Sequence, residues 1–271
     1  MTTRLEAPVQ EPRSISRDVL AVRSATRRYP ARRRGREPVL ALEGLDLSVR
    51  DREVLAVVGP SGCGKSTLLE LIAGLQEPDA GSVEVAGAAR AEERRRGCAY
   101  MPQSDLLLPW RDALSNAALA LECAGASRAE ARQAAAPLFE RFGLGRFENA
   151  RPNELSGGMR QRVAFLRTLL AGRPVLLLDE PFGALDAITR AQMQDWLAAA
   201  LAHEPRTVVL ATHDIEEALL LSDRVAVLSP RPGRVVAELE VELPRPRVRR
   251  ELVSDPAFIG LEQRALEALG C

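Results

Sequence analysis

Residues 59–67 (GPSGCGKST) hold the residue types and spacing best suited to chemistry. They form a glycine-rich loop between an apolar run at 54–58 and a helix-like run at 68–73. Glycine lets a backbone fold tightly enough for several N–H groups to point at one anion, and a helix N-terminus adds its positive dipole end. Lys65 can reach the terminal phosphates of a nucleotide, and the Ser66 hydroxyl can hold Mg²⁺. The spacing therefore predicts a phosphate-binding loop.

The lysine of this loop is the only lysine in the sequence. The chain has 37 lysines and arginines together, and all except Lys65 are arginine. A compact ammonium and a planar guanidinium present different donor geometries, so one does not replace the other. Coincidence in an arginine-rich composition is the alternative, and we favour a functional lysine.

Two further apolar runs end in residues that could act on a phosphate. Asp179 and Glu180 follow the run at 175–178, and His213 follows the run at 207–211. In open parallel sheets, ligands bind at the carboxyl ends of strands. Asp179 is therefore predicted to hold Mg²⁺, directly or through water, and Glu180 to accept a proton from an attacking water or to orient it. A helix-capping acidic pair is the alternative for the two carboxylates, and an ordinary polar histidine is the alternative for His213.

A second candidate anion site lies at residues 155–161 (LSGGMRQ), where a serine and two glycines open a predicted helix. Here the sequence resembles the ABC-transporter ATPase family, whose signature motif lies between the phosphate loop and the acidic strand. The resemblance covers residues 18–245. It implies a homodimer of cassettes paired head to tail, with each signature stretch acting on the ATP of the other chain. Helix capping alone is the alternative.

The same resemblance assigns roles to other positions. Tyr29 matches the aromatic residue that stacks on adenine, although an ordinary strand tyrosine is the alternative. Gln103 matches the glutamine that senses Mg²⁺ and the γ-phosphate, residues 184–186 match the D-loop, and His213 matches the switch histidine.

The implied site residues fall into three sets. The catalytic set is Lys65, Gln103, Glu180 and His213. The ATP-binding set is Tyr29, Gly59, Pro60, Ser61, Gly62, Cys63, Gly64, Lys65, Ser66, Thr67, Ser156, Gly157, Gly158 and Gln161. The metal-binding set is Ser66, Gln103 and Asp179. ATP and Mg²⁺ are thus the expected ligands.

Residues 106–111 (LLLPWR) indicate which kind of cassette this is. They are either part of the core or an exposed apolar patch for a partner. The resemblance implies that integral membrane permease subunits dock near Gln103 to Arg111, with a substrate-binding protein as an indirect partner. The run resembles importers of the nitrate/sulfonate/taurine type, a group that includes permeases for thiamine pyrimidine precursors. Residues 165–170 (FLRTLL) weakly favour the pyrimidine-precursor or riboflavin-like branch. The sequence does not identify the transported solute.

Charge, cysteine content and apolar run length indicate the expected partners and cellular compartment. The formal net charge is zero, so no nucleic-acid partner is expected. Four scattered cysteines without Cys-x-x-Cys spacing predict neither a zinc site nor a disulfide framework, which fits a reduced compartment. No apolar run approaches the roughly 20 residues that span a bilayer. We therefore expect a peripheral protein on the cytoplasmic face of the inner (plasma) membrane.

A soluble, non-transport ABC ATPase of DNA repair or translation is the alternative function. Such proteins carry coiled-coil or zinc insertions, or two cassettes in one chain. This sequence shows no sustained heptad run, no paired cysteines and a single phosphate loop. An importer ATPase is therefore the favoured reading.

Alternating strand and helix patterns predict an α/β fold. With the resemblance, this is a P-loop NTPase of the ABC type: a mainly parallel core sheet, an antiparallel β subdomain and an inserted α-helical subdomain. We expect a disordered lead at 1–17, the ATPase domain at 18–245 with its helical part at about 104–172, and a helical extension at 246–271. Residues 39–42 and 45–49 are predicted as a pair of strands. Ser127 with Glu130, and Asp214 with Glu217, are predicted to cap helices.

Overall fold

The structure is a computed structural model. It describes residues 18–31, 37–183, 185–203, 205–245 and 247–270. The predicted lead at 1–17 lies outside the described residues. Within the described ranges, every helix is too short or too polar to cross a membrane.

Strands and helices alternate along the chain. The strands are β1 (Asp18–Tyr29), β2 (Val39–Arg50), β3 (Val54–Val58), β4 (Ala80–Val85), β5 (Cys98–Met101), β6 (Val175–Asp179), β7 (Thr207–Thr212), β8 (Arg224–Leu228) and β9 (Val235–Glu240). The helices are α1 (Lys65–Ile72), α2 (Ala91–Gly97), α3 (Ala113–Ala117), α4 (Leu119–Cys123), α5 (Arg128–Arg141), α6 (Gly157–Leu170), α7 (Ala187–His203), α8 (Ile215–Leu221), α9 (Arg249–Leu252) and α10 (Pro256–Leu269).

The central sheet has the strand order β5-β6-β7-β3-β8-β9. Its first five strands run parallel, and β9 closes one edge antiparallel to β8. Every residue of β3, β6, β7 and β8 is buried, as expected of strands covered on both faces. The predicted α/β fold with a mainly parallel core is confirmed. Because β3, β5, β6 and β7 are parallel, the residues that follow them meet at one edge of the sheet.

A second, antiparallel sheet of order β2-β1-β4 packs beside the first. The prediction of two strands at 39–42 and 45–49 is wrong, because β2 is one continuous strand. Gly44 sits inside it with a φ of 57°, and the pairing with β1 shifts register on either side of Leu45. A bulge bends a strand without ending it, so the glycine signalled an irregular strand rather than a turn.

The helices α3 to α6 form one block beside β5. Its predicted capping box is confirmed: Glu130 N donates to Ser127 Oγ at 3.3 Å, and Ser127 N donates to the Glu130 carboxylate at 2.9 Å. Helix α6 begins at Gly157 with Ser156 as its N-cap. The aromatic rings of Phe142 and Phe165 pack against Trp196 of α7. This contact joins the helical block to the core domain.

The predicted cap pair at the start of α8 is half right. Glu217 N donates to Asp214 Oδ1 at 3.0 Å, so Asp214 is the N-cap. The Glu217 carboxylate does not reach back to the cap, because it is buried between α7 and α8 and accepts a hydrogen bond from Gln194 Nε2 at 3.0 Å. Beyond β9, α9 and α10 follow, and α10 begins at Pro256 under an Asp255 cap and packs on α8.

Candidate functional site

The glycine-rich loop connects β3 to α1 and is held close to β2. Gly64 has a φ of 114°, and a Cβ there would lie 2.7 Å from Leu42 Cδ2. At Gly59, a Cβ would lie 2.8 Å from Cys63 Sγ. Both approaches are too short for a real methyl group, so the loop adopts this path because these positions are glycine. Gly64 is also the N-cap of α1. The N-terminus of that helix, with its positive dipole end, therefore lies within the loop.

Lys65 is enclosed by the loop, with a side chain that is 5% exposed. Its Nζ donates to the carbonyl oxygens of Gly59 at 2.8 Å and Pro60 at 3.3 Å. It also lies 3.6 Å from Glu180 Oε1. A buried ammonium is stable only with such partners. The only lysine of the sequence is therefore held inside the loop by two carbonyl oxygens and by Glu180.

Glu180 brings the four residues of the predicted catalytic set together. Its Oε2 accepts a hydrogen bond from Gln103 Nε2 at 3.2 Å and lies 3.4 Å from His213 Nδ1. Its Oε1 faces Lys65. The residue has a φ of 44°, and its N–H donates to Ala211 O at 2.8 Å, so the chain turns sharply off the end of β6. A carboxylate, an ammonium, an imidazole and an amide thus face one another at the edge of the sheet.

Asp179 lies at the buried end of β6 and is 3% exposed. Its Oδ2 accepts a hydrogen bond from the Tyr100 hydroxyl at 3.1 Å, while its buried Oδ1 has no hydrogen-bond partner among the described residues. Burial raises the pKa of Asp179, and hydrogen bonds from Ser66 and Tyr100 oppose that rise. Burial, with the nearby Asp179 charge, also raises the pKa of Tyr100.

This arrangement fits a hard cation held partly by phosphate. An unpartnered buried carboxylate oxygen and the hydroxyl of Ser66 are the oxygen ligands that Mg²⁺ prefers, and Mg²⁺ at nucleotide sites usually takes few protein ligands. The described residues contain no cluster of three or more histidine, cysteine or acidic side chains that could hold a metal ion.

An open cleft of about 350 Å³ lies over the loop. It is lined by Tyr29, Val39, Ala41, Ser61, Gly62, Gly64, Lys65, Ser66, Thr67, Gln103, Glu180 and Arg231. The Tyr29 hydroxyl lies 3.2 Å from Thr67 Oγ1, and the Arg27 guanidinium lies 5.1 Å from the Tyr29 ring centre. Sequence reasoning found the loop and Tyr29 but missed Val39, Ala41 and Arg231.

The signature stretch lies away from this cleft in the same chain. Ser156 is exposed and accepts a hydrogen bond from Met159 N at 3.3 Å, while Gly157 is half-buried. A Cβ on Gly158 would lie 2.7 Å from Thr189 Cγ2, so this glycine lets α6 approach the start of α7. Gln161 is buried, and its Oε1 has no hydrogen-bond partner among the described residues. None of these four residues lines the described cleft.

The D-loop match is described in part, since residue 184 lies outside the described residues. Leu185 is buried, and Asp186 Oδ1 accepts hydrogen bonds from the N–H groups of Ile188 and Thr189, both at 3.1 Å. Asp186 therefore caps the start of α7.

The segment 105–111 after Gln103 divides between core and surface. Leu107 is buried, whereas Leu106 is 61% exposed and Trp110 is 70% exposed. Helix α6 holds the start of the segment. Arg160 Nε donates to Asp105 Oδ2 at 3.1 Å, and Arg167 donates to the carbonyl oxygens of Asp105 at 2.6 Å and Leu106 at 2.9 Å.

Asn116 of α3 holds the rest of the segment. Its Oδ1 accepts from Leu108 N at 2.7 Å, and its Nδ2 donates to the carbonyl oxygens of Leu108 at 3.1 Å and Arg111 at 3.2 Å. Two bulky apolar side chains are thus presented to solvent on a backbone fixed by one buried asparagine and two half-buried arginines. We refer to residues 105–111 below as the pinned segment.

Comparison with known proteins decides the family. Residues 42–183 match the family described as ABC transporter. The chain belongs to this family. The formylaminopyrimidine import ATP-binding protein of Halalkalibacterium halodurans is 44% identical over 78% of this chain and 81% of the relative. The nitrate import ATP-binding protein of Synechococcus elongatus is 43% identical over 86% of each chain.

Other relatives agree with these. The taurine import ATP-binding protein of Chromobacterium violaceum is 44% identical over 83% of this cassette and 88% of the relative. A solved structure titled as a dimeric bacterial ABC transporter cassette has a TM-score of 0.72 at 31% identity, covering 83% of this chain and all of the other. The same cassette in a dimeric post-hydrolysis state bound to ADP and Pi has a TM-score of 0.71. The predicted importer ATPase is confirmed, and the comparisons give no support to the soluble, non-transport alternative.

Proposed function

We propose that this cassette hydrolyses ATP at the cleft over residues 59–67, as the energy-supplying subunit of a solute importer. The observation that carries the proposal is the position of Glu180. Its carboxylate lines the cleft and lies between Lys65, Gln103 and His213. Such a group can accept a proton beside a bound terminal phosphate while the Lys65 ammonium balances the charge around it.

ATP binding falls to the loop and to Tyr29. The N–H groups of residues 59–67 and the start of α1 receive the phosphates, and Lys65 exchanges its carbonyl contacts for phosphate oxygens. Tyr29 lines the cleft beside Thr67 and offers its ring to the adenine. A π face accepts any base, so this contact adds affinity without strict base selection.

Mg²⁺ would be held by Ser66, by Asp179 through its unpartnered Oδ1 and by Gln103. When bound, the ion neutralises charge on the phosphate oxygens during transfer. Tyr100 fixes the orientation of Asp179 by its hydrogen bond to Oδ2.

Glu180 accepts the proton of the attacking water in the hydrolysis step. The water oxygen bonds to the γ-phosphorus as the bond from that phosphorus to the β,γ-bridging oxygen breaks, giving ADP and inorganic phosphate. His213 and Gln103 hold the Glu180 carboxylate beside the γ-phosphate, and Lys65 faces the transferred phosphoryl group. Positioning and charge neutralisation supply the rate enhancement, since no covalent intermediate is needed.

Two cassettes complete the site between them in this proposal. Ser156, Gly157, Gly158 and Gln161 lie away from the cleft of their own chain, and Ser156 is exposed at the start of α6. They therefore act on the ATP of a second copy. The dimeric cassettes with similar structures support this pairing.

The importer also needs a membrane partner, and the pinned segment is the surface we assign to it. Leu106 and Trp110 are exposed there, and exposed aromatic side chains are frequent anchors of protein interfaces. Permease subunits docked on it place the cassette on the cytoplasmic face of the inner membrane. The solute belongs to the nitrate, sulfonate, taurine or pyrimidine-precursor type, as the import relatives suggest. A substrate-binding protein delivers it without touching the cassette.

A Glu180→Gln variant tests the hydrolysis step. Loss of a positioned general base lowers turnover by about 10²- to 10⁴-fold, so phosphate release should fall at least 100-fold. Binding of a fluorescent ATP analogue should stay within about twofold, because the phosphate cradle is intact. Glu92→Gln changes an exposed carboxylate of α2 that does not line the cleft, and should leave both quantities unchanged. Turnover above a tenth of the wild-type value in the Glu180 variant would remove Glu180 from the proton-accepting role.

A further inference from the structure

The position of His213 depends on the short helix that follows it. His213 lies between the end of β7 and α8, which has seven residues. Asp214 N donates to Thr212 Oγ1 at 3.1 Å, and Asp214 Oδ1 accepts from Glu217 N at 3.0 Å. His213 therefore lies between two residues that are held by hydrogen bonds, and the second of them, Asp214, is the N-cap of α8. The position of the imidazole opposite Glu180 is thus tied to the position of α8.

Arginines from the segment after β9 hold the C-terminal end of α8. Arg247 is 6% exposed, and its Nη1 donates to Leu219 O at 2.9 Å and also to Ser222 O. Arg245 Nη2 donates to Leu221 O at 3.2 Å and to Asp223 Oδ1 at 2.9 Å. These contacts satisfy carbonyls that a helix end leaves free and place cations at the negative end of its dipole.

The same segment also reaches the N-terminal half of α8. Arg249 Nη2 forms an ion pair with Glu216, while its Nη1 donates to Gln194 Oε1 at 2.8 Å. Gln194 of α7 is fully buried and donates through Nε2 to Glu217 Oε2 at 3.0 Å. The backbone N–H of Glu217 in turn donates to Asp214 Oδ1 at 3.0 Å. A series of polar contacts thus runs from Arg249 through Gln194 and Glu217 to Asp214, the residue after His213.

Arg245, Arg247 and Arg249 lie close together in the sequence, and each contacts α8 or the residues at its C-terminal end. Arg250 follows Arg249 on α9 and is exposed. Three arginines of this segment therefore hold α8, and Arg250 offers an exposed arginine for comparison.

We propose that Arg249 and Arg247 are positioning residues for ATP hydrolysis, which hold α8 through Gln194, Glu217 and the helix C-terminal carbonyls and thereby fix His213 opposite Glu180. The proposal rests on the proposed function, since it gives His213 a place in the reaction. It assigns to the chain beyond β9 a part in catalysis from outside the cleft.

The test uses Arg249→Ala in the full-length chain, because removal of the more buried Arg247 could prevent folding. Arg249→Ala should lower kcat for Mg-ATP about tenfold while the KM for ATP stays within twofold. Arg249→Lys, which keeps a cation beside Glu216 but loses the forked geometry, should recover part of that loss. Arg250→Ala is the matched control and should change neither parameter.

A second measurement reads His213 directly and needs no turnover. The chain has two histidines, so ring-labelled histidine gives two sets of NMR signals, and a His213→Asn variant assigns them. Arg249→Ala should shift or broaden the His213 ring signal and leave the other histidine unchanged. An unaltered His213 signal, or equal changes at both histidines, would overturn the proposal. A wild-type chain without ATPase activity would instead defeat the proposed function, and the NMR comparison would still decide whether Arg249 positions His213.

Discussion

Two glycines of the phosphate loop should respond very differently to the same substitution. Gly62 and Gly64 both have positive φ, at 77° and 114°. A Cβ on Gly62 would have Arg231 Nη2 as its nearest contact, at an ordinary 3.6 Å. A Cβ on Gly64 would lie 2.7 Å from Leu42 Cδ2 and 2.9 Å from Ala41 O. The second of these is backbone of β2, so it cannot move aside as a flexible side chain does.

These distances give the expected size of each effect. A left-handed backbone costs an L-residue about 1–2 kcal/mol, and reduced freedom of the unfolded chain returns about 0.5–1 kcal/mol. Gly62→Ala should therefore destabilise the folded chain by about 1 kcal/mol. Gly64→Ala adds an overpacking cost of about 1–3 kcal/mol. Its total should be about 3 kcal/mol.

Urea unfolding without nucleotide measures the difference. Circular dichroism follows the helices, and the fluorescence of Trp196, packed against Phe142 and Phe165, follows the junction with the helical block. The Gly64 variant should unfold at clearly lower urea than the Gly62 variant, with similar slopes. Equal midpoints would refute the close approach of the loop to β2.

Two further predictions concern the surface and the buried acid. Trp110→Ala should weaken capture of the cassette by its permease subunits at least tenfold and leave ATP turnover of the free chain unchanged, whereas Leu266→Ala, an exposed leucine of α10, should affect neither. Unchanged capture would move the docking site elsewhere. Burial raises the pKa of Glu217 from 4.5 to about 7, against the hydrogen bond from Gln194, so the folded chain keeps a proton that the unfolded chain loses. Stability should therefore fall by about 3 kcal/mol as pH rises from about 4.5 to 7, and Glu217→Gln should flatten that fall in urea titrations at several pH values. An equally steep fall in the variant would contradict the assignment.

Sequence patterns predicted the parts of the site that lie in contiguous residues. The loop at 59–67, the acidic end of β6 and His213 each follow a buried apolar strand, and a parallel sheet brings such ends together. Their meeting at Glu180 thus follows from strand order and needs no further information.

The rest of the site comes from chain segments with no local signature. Tyr100 and Arg231 look like an ordinary strand residue and a turn residue, and only the packing of β5 and the turn after β8 brings them to Asp179 and the cleft. The short helix α2 was missed because it is almost wholly polar, so it has no apolar periodicity to detect. Gly44 instead led to an element boundary that the structure lacks, because β-bulges and turns both use glycine.

The hydrogen bonds that hold the pinned segment have a consequence for the thermodynamics of partner capture. Ordering a flexible backbone costs about 1–2 kcal/mol per residue, and a loop that folds only on contact subtracts that cost from its affinity. Here Arg160, Arg167 and Asn116 have already fixed the backbone in the free chain. A protein that covers Leu106 and Trp110 therefore meets a preformed surface. The entropy of binding should include the gain from water released by two apolar side chains. It should not include the loss of conformational entropy that ordering a flexible loop would cause.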